Sequence, residues 1–353
     1  MGGQEALQKE VLLRGLCTAC GACVNICPYM RFVSDRVIML DKCGLAQGRC
    51  YEFCPRTELN VAEMDSKVFG TQRKDALLGR YMSIITARPK DKDFAAAGQN
   101  GGAASALSEY IVRMHEADAM VLTRLDESFF PTPVTAKKHP EVLSCAGSKY
   151  TVSSVLAKVN ELSNDKNSLG IVGTGCQIAG LRKMQISGKE SGAVQVKIAL
   201  GLFCTETFKY PEFYRYLTDR VSGKIKKIDI ARGAVSVDFD GGRKEFPLKD
   251  FKHLARETCK VCCDVTAEWA DLSFGSVGSE KGWTTVIVRS DKGNSLVQSA
   301  KKAGVIDVKE APDITVIRDF ALRKKKSALQ ELSKQNLTYL GMSEEDKKKI
   351  MEA

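Results

Sequence analysis

Seven of the chain's thirteen cysteines fall within its first 54 positions, as Cys17-Thr-Ala-Cys20-Gly-Ala-Cys23-Val-Asn-Ile-Cys27-Pro28, then Cys43, Cys50 and Cys54-Pro55. A C-x2-C-x2-C-x3-C-P run is iron–sulfur spacing: three thiolates hold one cluster while the fourth, turned away by the proline, ligates its neighbour. Zinc knuckles pair two short hooks across a longer spacer and have no use for the x3-C-P ending. A secreted disulfide framework would need an apolar export segment. The opening MGGQEALQKEVLLRG is polar and lacks a cleavage site, so the thiols are expected to face a reducing cytoplasm.

By the exchange seen in two-cluster ferredoxins, Cys17, Cys20 and Cys23 share a cluster with Cys54, and Cys27 joins Cys43 and Cys50 in the other. That second set is one ligand short. Counting back from Cys54-Pro55, Cys50 is in register, but the next positions are Gln47 and Gly44, with Cys43 displaced by one. A three-iron form, a cubane with a non-cysteine ligand, completion by a distant thiol such as Cys145, and a stray Cys43 all stay open.

Further along come Cys176 in GTGCQ, Cys204 in GLFC, and Cys259-Lys-Val-Cys262, with Cys263 directly behind. Each lies beside glycine or at a strand terminus, where a loop can turn a thiol inward. From spacing alone, iron–sulfur, zinc and a redox pair remain open for them. No G-x-G-x-x-G fingerprint accompanies them, which argues against a Rossmann dinucleotide site. Three other small-residue loops are candidate phosphate cradles: Asn100-Gly101-Gly102-Ala103-Ala104-Ser105, Gly147-Ser148-Lys149-Tyr150-Thr151 and Gly275-Ser276-Val277-Gly278.

These residues need a scaffold, and 353 residues suffice for a small cysteine module and a larger domain. The polar stretch at 61–78 is the expected linker between them. Beyond it, Tyr81–Ala87, Ala119–Leu125, Leu169–Gly173, Val194–Phe203, Lys226–Ile230, Val235–Phe239 and Thr284–Val288 read as strands. Helical patterns fall near 106–117, 151–163, 178–187, 208–221 and 293–303. The expected class is α+β: a ferredoxin-like module over 1–66, a mixed α/β domain over 79–310, and a basic helical tail over 311–353 with few apolar positions. No apolar run approaches the roughly 18–20 residues of a bilayer span. The net charge of +10, with lysine concentrated in the last third, suits an acidic cofactor or partner. In the C-terminal run it is expected to be a solvated face. No nucleic-acid motif is present.

GQNGGAASAL, AGSKYT, GTGCQIAGLRKMQ, GLFCTETF, CKVCCD, ADLSFGSVGS and GWTTVIVR follow one another in that order. In this the segment from about Ser83 to Lys309 resembles the beta subunit family of coenzyme F420-reducing hydrogenases and dehydrogenases, in the form with an N-terminal iron–sulfur module. The resemblance implies a non-Rossmann FAD-binding domain carrying a [4Fe-4S] cluster on Cys176, Cys204, Cys259 and Cys262, for two or three clusters in all. Its flavin loops would be Asn100, Gly101, Gly102 and Ser105; Gly147 to Thr151; Thr174 and Gln177; and Gly275, Ser276 and Gly278. Coenzyme F420 would be the substrate. Other redox subunits, of hydrogenase, dehydrogenase or heterodisulfide-reductase type, would be the partners.

A 5-deazaflavin exchanges hydride and a cluster single electrons, so a true flavin must stand between them, and no side-chain acid or nucleophile is obligatory. Lys149, Arg182, Lys183, Lys252 and Arg256 are candidate partners for the coenzyme's phosphodiester and glutamate tail. His253 reads as a surface residue. Two other readings share the motifs: a ferredoxin-coupled flavoprotein reductase of another organic substrate, and an electron-relay adapter with degenerate flavin loops.

Overall fold

Runs rich in Val, Ile and Leu form one eight-stranded sheet in the computed structural model of the protein, which describes residues 2–310 and 312–353. Its strands are β1 (Ser83–Pro89), β2 (Ala119–Leu125), β3 (Pro131–Ala136), β4 (Leu169–Thr174), β5 (Val196–Leu202), β6 (Leu272–Gly275), β7 (Thr284–Val288) and β8 (Ile306–Lys309). Their order is β8-β1-β7-β6-β5-β4-β2-β3. Strands β2, β4, β5 and β6 run parallel, whereas β7 lies antiparallel to both β6 and β1. The carboxyl ends of β1, β2, β4, β5 and β6 and the start of β7 therefore share one edge. In open α/β sheets that edge is where ligands bind.

The strands alternate small and branched apolar residues because helices cover both faces. On one face, α2 (Ala103–Arg113) and the helix Asp291–Lys302 bury Leu107, Ile111, Leu296 and Val297 against Leu200, Val286 and Leu272. On the other, α3 (Gly175–Ile186) and the helix Val155–Glu161 pack Ile178, Leu181 and Leu156 on Val121 and Ile171. A separate three-stranded sheet, Ile225–Ala231, Ala234–Phe239 and Gly242–Pro247, packs on the helix Tyr210–Thr218 through Phe213, Leu217, Val235 and Phe246.

Two parts differ from the sequence expectation. The stretch at 61–78 begins with a helix, α1 (Val61–Phe69), capped where Asn60 accepts from the Glu63 amide. It buries Val61 and Met64 in the same core as Phe53, Ile171 and Ile178, so the cysteine module and the larger domain share a hydrophobic interior. Of the polar residues that suggested a linker, Glu63, Ser66 and Lys67 lie on the outer side of this helix, while Asp65 is buried and pairs with Arg73 beyond its end. The tail contains α4 (Ile314–Lys334), whose buried residues Ile317, Ala321, Lys325, Ala328 and Leu332 recur at spacings of four, four, three and four. That is a core-facing stripe with a lysine at its centre. Lys325 is 1% exposed and pairs with buried Glu268 at 2.6 Å, so this part of the basic run is interior.

Among the described residues no helix is long and apolar enough to cross a membrane.

Candidate functional site

Thiols gather in three places. Cys17, Cys20 and Cys54 all bear electrostatically on Cys23, whose thiol burial pushes well above its ordinary value. Cys54 is pushed up to about 12, by burial and then by Cys20. Backbone amides point at this group: Ala19 N donates to Cys17 Sγ at 3.3 Å and Arg56 N to Cys54 Sγ at 3.4 Å. The second gathering is Cys27, Cys43 and Cys50. Cys145 stands elsewhere, among Ser144, Lys149, Arg124 and Glu141, and cannot complete that set.

The third gathering lies on the ligand-binding edge of the sheet. Cys176 opens α3 directly after β4, and Cys204 follows β5. The segment after Cys204 is tied back by Arg256 N to Thr207 O at 3.0 Å and by Thr207 N to Cys259 Sγ at 3.4 Å. Cys259, Cys176 and Cys262 all act on Cys204, whose thiol burial raises strongly. Burial and then Cys262 push Cys176 up to about 12. Cys262 is the exception. Burial pushes it up as well, but the cations of Arg56 and Lys324 outweigh burial and hold it below the ordinary thiol value.

Those cations come from distant parts of the chain. Arg56, 6% exposed, follows the last cysteine of the N-terminal module. Its Nε donates to Thr258 Oγ1 at 3.0 Å, its Nη2 to Thr258 O at 3.2 Å and its Nη1 to Tyr339 Oη at 2.8 Å. Lys324, on α4, donates to the Thr205 carbonyl. A cavity of about 440 Å³ connects Pro55 and Arg56 to Cys176, Cys262 and Tyr339. Cys20 Sγ lies 3.5 Å from where a Cβ on Gly180 would stand, one turn along α3 from Cys176, so the first and third gatherings are about one helical turn apart. Sequence reasoning missed Arg56, Lys324 and Tyr339. No motif marks them.

Among the described residues no three His, Cys, Asp or Glu side chains converge on a point where one bare ion would sit. The thiols act on one another from further apart, and a polynuclear cluster bridges such gaps with its own sulfides. Buried neutral thiols under amide N–H groups fit such a group, because binding it removes their protons.

The candidate flavin loops divide. Gly101 and Gly102 have φ of 78° and 83°, in the left-handed region, and Gly102 begins α2 with no side-chain cap. The first N–H groups of this eleven-residue helix are thus free of a cap and meet the requirement for an anion cradle. Gln99 Nε2 is buried without a partner beside them. Thr284 Oγ1 donates to Asn100 O at 2.6 Å, fixing the loop to the start of β7, and Ser105 lies in the first turn of α2. A Cβ on Gly102 would collide with the Phe94 carbonyl. Gly102→Ala is therefore expected to lower stability by roughly 2 kcal/mol or more, as a thermal melt will show.

Gly147, at φ 82°, sits against Ala97 O, bringing the second loop beside the first. Ser148, Tyr150 and Thr151 line a cleft of about 370 Å³ with Phe129 and Tyr210, and Tyr150 Oη accepts from Ile230 N at 2.9 Å. The Asn100–Ser105 loop lines neither of these two cavities. Thr174 and Gln177 form a capping box for α3, and Gln177 Nε2 donates to Ser153 O at 2.6 Å, so both side chains are engaged within the protein. Gly275 is required by the Phe203 ring, and Gly278 by Ile317 of α4. Ser276 O accepts from Ser279 N at 3.4 Å within that turn. These glycines answer to packing.

All five candidate coenzyme cations have partners within the protein. Lys149 Nζ donates to the carbonyls of Cys145, Ala146 and Gly147, and burial lowers it to about 8. Arg182 pairs with Asp271 at 3.1 Å. Lys183 donates to Cys54 O, Thr57 Oγ1 and Glu58 O, fastening the module, and is also lowered by burial to about 8. Arg256 binds Asp35 and the Cys17 carbonyl. Lys252 pairs with Glu206 at 2.7 Å on the surface, and His253 is exposed.

Sequence models described as coenzyme F420 hydrogenase/dehydrogenase, beta subunit N-term and C terminus, match residues 84–160 and 166–314. The chain belongs to that family. A 4Fe-4S binding domain model matches residues 11–30. The chain is 34% identical over 268 residues to the coenzyme F420 hydrogenase subunit beta of Methanococcus voltae, covering 72% of this chain and 95% of the relative. It is 29% identical over 347 residues to a coenzyme F420-dependent sulfite reductase of Methanocaldococcus jannaschii, spanning 93% of this chain but only 52% of the relative. Among solved structures it is similar to a chain of the F420-reducing [NiFe] hydrogenase complex of Methanosarcina barkeri, with a TM-score of 0.70 and 28% identity, covering 74% of this chain and 94% of that one. The family and the mixed α/β fold around an iron–sulfur motif thus agree with the sequence reading.

Proposed function

We propose that the chain is an oxidoreductase subunit that exchanges hydride with coenzyme F420 at a bound FAD and passes single electrons through its cysteine-held clusters to or from partner subunits. The observation that supports the reading is the shared sheet edge, on which lie both the uncapped start of α2, beyond β1, and Cys176 and Cys204, beyond β4 and β5, with Cys259 and Cys262 gathered beside Cys204. FAD, when bound, supplies the interconversion of hydride and single electrons that neither a deazaflavin nor a cluster performs alone.

The chain's own residues do the placing. The backbone at Gly101 to Ala103 and the positive end of α2 bind the anionic part of the cofactor, and Gln99 offers it an amide donor. The four thiolates hold a [4Fe-4S] group, Arg56 and Lys324 offset its negative charge, and the surrounding apolar core excludes water. Relatives named as a hydrogenase subunit and a sulfite reductase support F420 as the substrate and a redox protein as the partner.

Cys176→Ser tests the assignment. Iron is expected to fall, by about one per chain if the three remaining thiolates keep a three-iron core and by about four if the cluster is lost, while flavin is retained. Reduced F420 should still bleach the flavin, but reduction of a one-electron dye should slow about tenfold or more. Unchanged iron and dye turnover would refute it.

A further inference from the structure

The thirteen thiols divide unevenly. Cys17, Cys20, Cys23 and Cys54 make one group of four, and Cys176, Cys204, Cys259 and Cys262 another. In the module's other group Cys27 and Cys43 join Cys50, which also bears on Cys23 of the first after that group's own thiols. Two thiols are left over. Cys145 is held among Ser144, Lys149, Arg124 and Glu141, and Cys263 among Lys325, Cys262, Arg56 and Glu268. A fourth thiolate for Cys27, Cys43 and Cys50 is absent from the chain.

The three that remain form a built site. Buried Gln4, 4% exposed, accepts the Cys43 amide on Oε1 at 2.6 Å and donates Nε2 to Asp41 O at 2.8 Å. Gly48 N donates to Gly2 O at 3.1 Å, so the first residues of the chain clamp the loop at both ends. Asp41 accepts the Lys42 amide at 2.7 Å, Gln47 is exposed at the position where the regular pattern would place a cysteine, and Leu45 is 68% exposed. The backbone at Cys43 is thus held in place, while the loop beyond it, from Gly44 to Gln47, faces solvent.

We infer that Cys27, Cys43 and Cys50 hold an iron–sulfur cluster through three protein thiolates, leaving one corner without a thiolate and any iron there exchangeable. The inference rests on the iron–sulfur reading of the module. Three thiolates fully ligate a [3Fe-4S] core, whereas a fourth iron would be retained by sulfide and solvent alone. Mild oxidation then releases it: [4Fe-4S]2+ gives [3Fe-4S]+ and Fe2+, and the one electron passes to ferricyanide. With one negative ligand fewer, the site also accepts an electron more readily than its four-thiolate neighbour, as befits the exposed end of a relay.

The test uses the full, cluster-loaded chain and electron paramagnetic resonance after one equivalent of ferricyanide. The wild type is expected to give the signal of an oxidised three-iron core, and Cys43→Ser to lose it. Gln47→Cys and Gly44→Cys each offer a thiolate in regular register. The second is sterically free, since nothing lies within 4 Å of a Cβ on Gly44. At least one should reduce the signal about fivefold while raising iron retained after oxidation. A wild type that keeps all its iron and stays silent would overturn the inference, as would a signal equally strong in both added-cysteine variants. An iron-free wild type would overturn the iron–sulfur reading itself.

Discussion

Removal of residues 1–66 is expected to abolish the cooperatively folded protein and not simply to sever an electron relay. Phe53, Leu59, Val61 and Met64 are buried in the same core as the sheet and α3, and each contributes roughly 1.5–3 kcal/mol by its burial. Their removal would strand polar groups that now have partners. Asn160 Nδ2 donates to Val24 O at 2.8 Å, Lys183 Nζ to Cys54 O at 2.8 Å, and Thr258 Oγ1 to Leu16 O at 2.6 Å. Each orphaned buried group costs about 1–3 kcal/mol. The sum matches or exceeds the whole stability of an ordinary domain, about 5–15 kcal/mol. Expression of 67–353 should therefore yield aggregated or molten protein by size exclusion and thermal melt. A monodisperse truncated chain melting cooperatively near the full-length protein would show that the shared core is not needed.

Arg56→Met should produce the second large effect. The substitution keeps the apolar stem but leaves the Thr258 and Tyr339 oxygens without their charged donor, for a loss of roughly 3 kcal/mol or more. It also removes the cation that does most to offset burial at Cys262, so that thiol should rise and its thiolate become scarcer at neutral pH. The expected result is a lower denaturant midpoint together with reduced iron. Arg56→Lys separates the two causes, because lysine restores the charge without the planar fork: iron should recover more than stability. Iron content equal to wild type in Arg56→Met would show that the guanidinium has no part in holding the cluster.

The N-terminal thiols were legible because the C-x2-C-x2-C-x3-C-P run is an iron–sulfur spacing signature, whereas Cys176, Cys204, Cys259 and Cys262, scattered over three segments, were grouped only by the family resemblance. The groups that act on them were not legible. Arg56 follows Cys54-Pro55, where it reads as a turn residue, yet its partners lie 202 and 283 positions away. Lys325 sits in the run RKKKSALQ and looks solvated until Glu268 is found beside it. Long apolar strands such as Ala119–Leu125 and Thr284–Val288 announced themselves. In contrast, β3, with prolines at 131 and 133, and Gly242–Pro247, with four exposed residues in succession, carry no alternation to read. Glycine was the least decipherable signal. At Gly101 and Gly102 it permits a left-handed turn before an uncapped helix, whereas at Gly275 it makes room for Phe203, and the two uses look alike in a sequence.

The central claim is most directly tested by anaerobic mixing of the flavin- and iron-replete chain with reduced coenzyme F420 and a one-electron dye. The account predicts that F420 is oxidised and that about two dye molecules are reduced for each hydride given up, with Cys176→Ser retaining flavin bleaching and losing most dye reduction. A replete chain that leaves reduced F420 unchanged would contradict it.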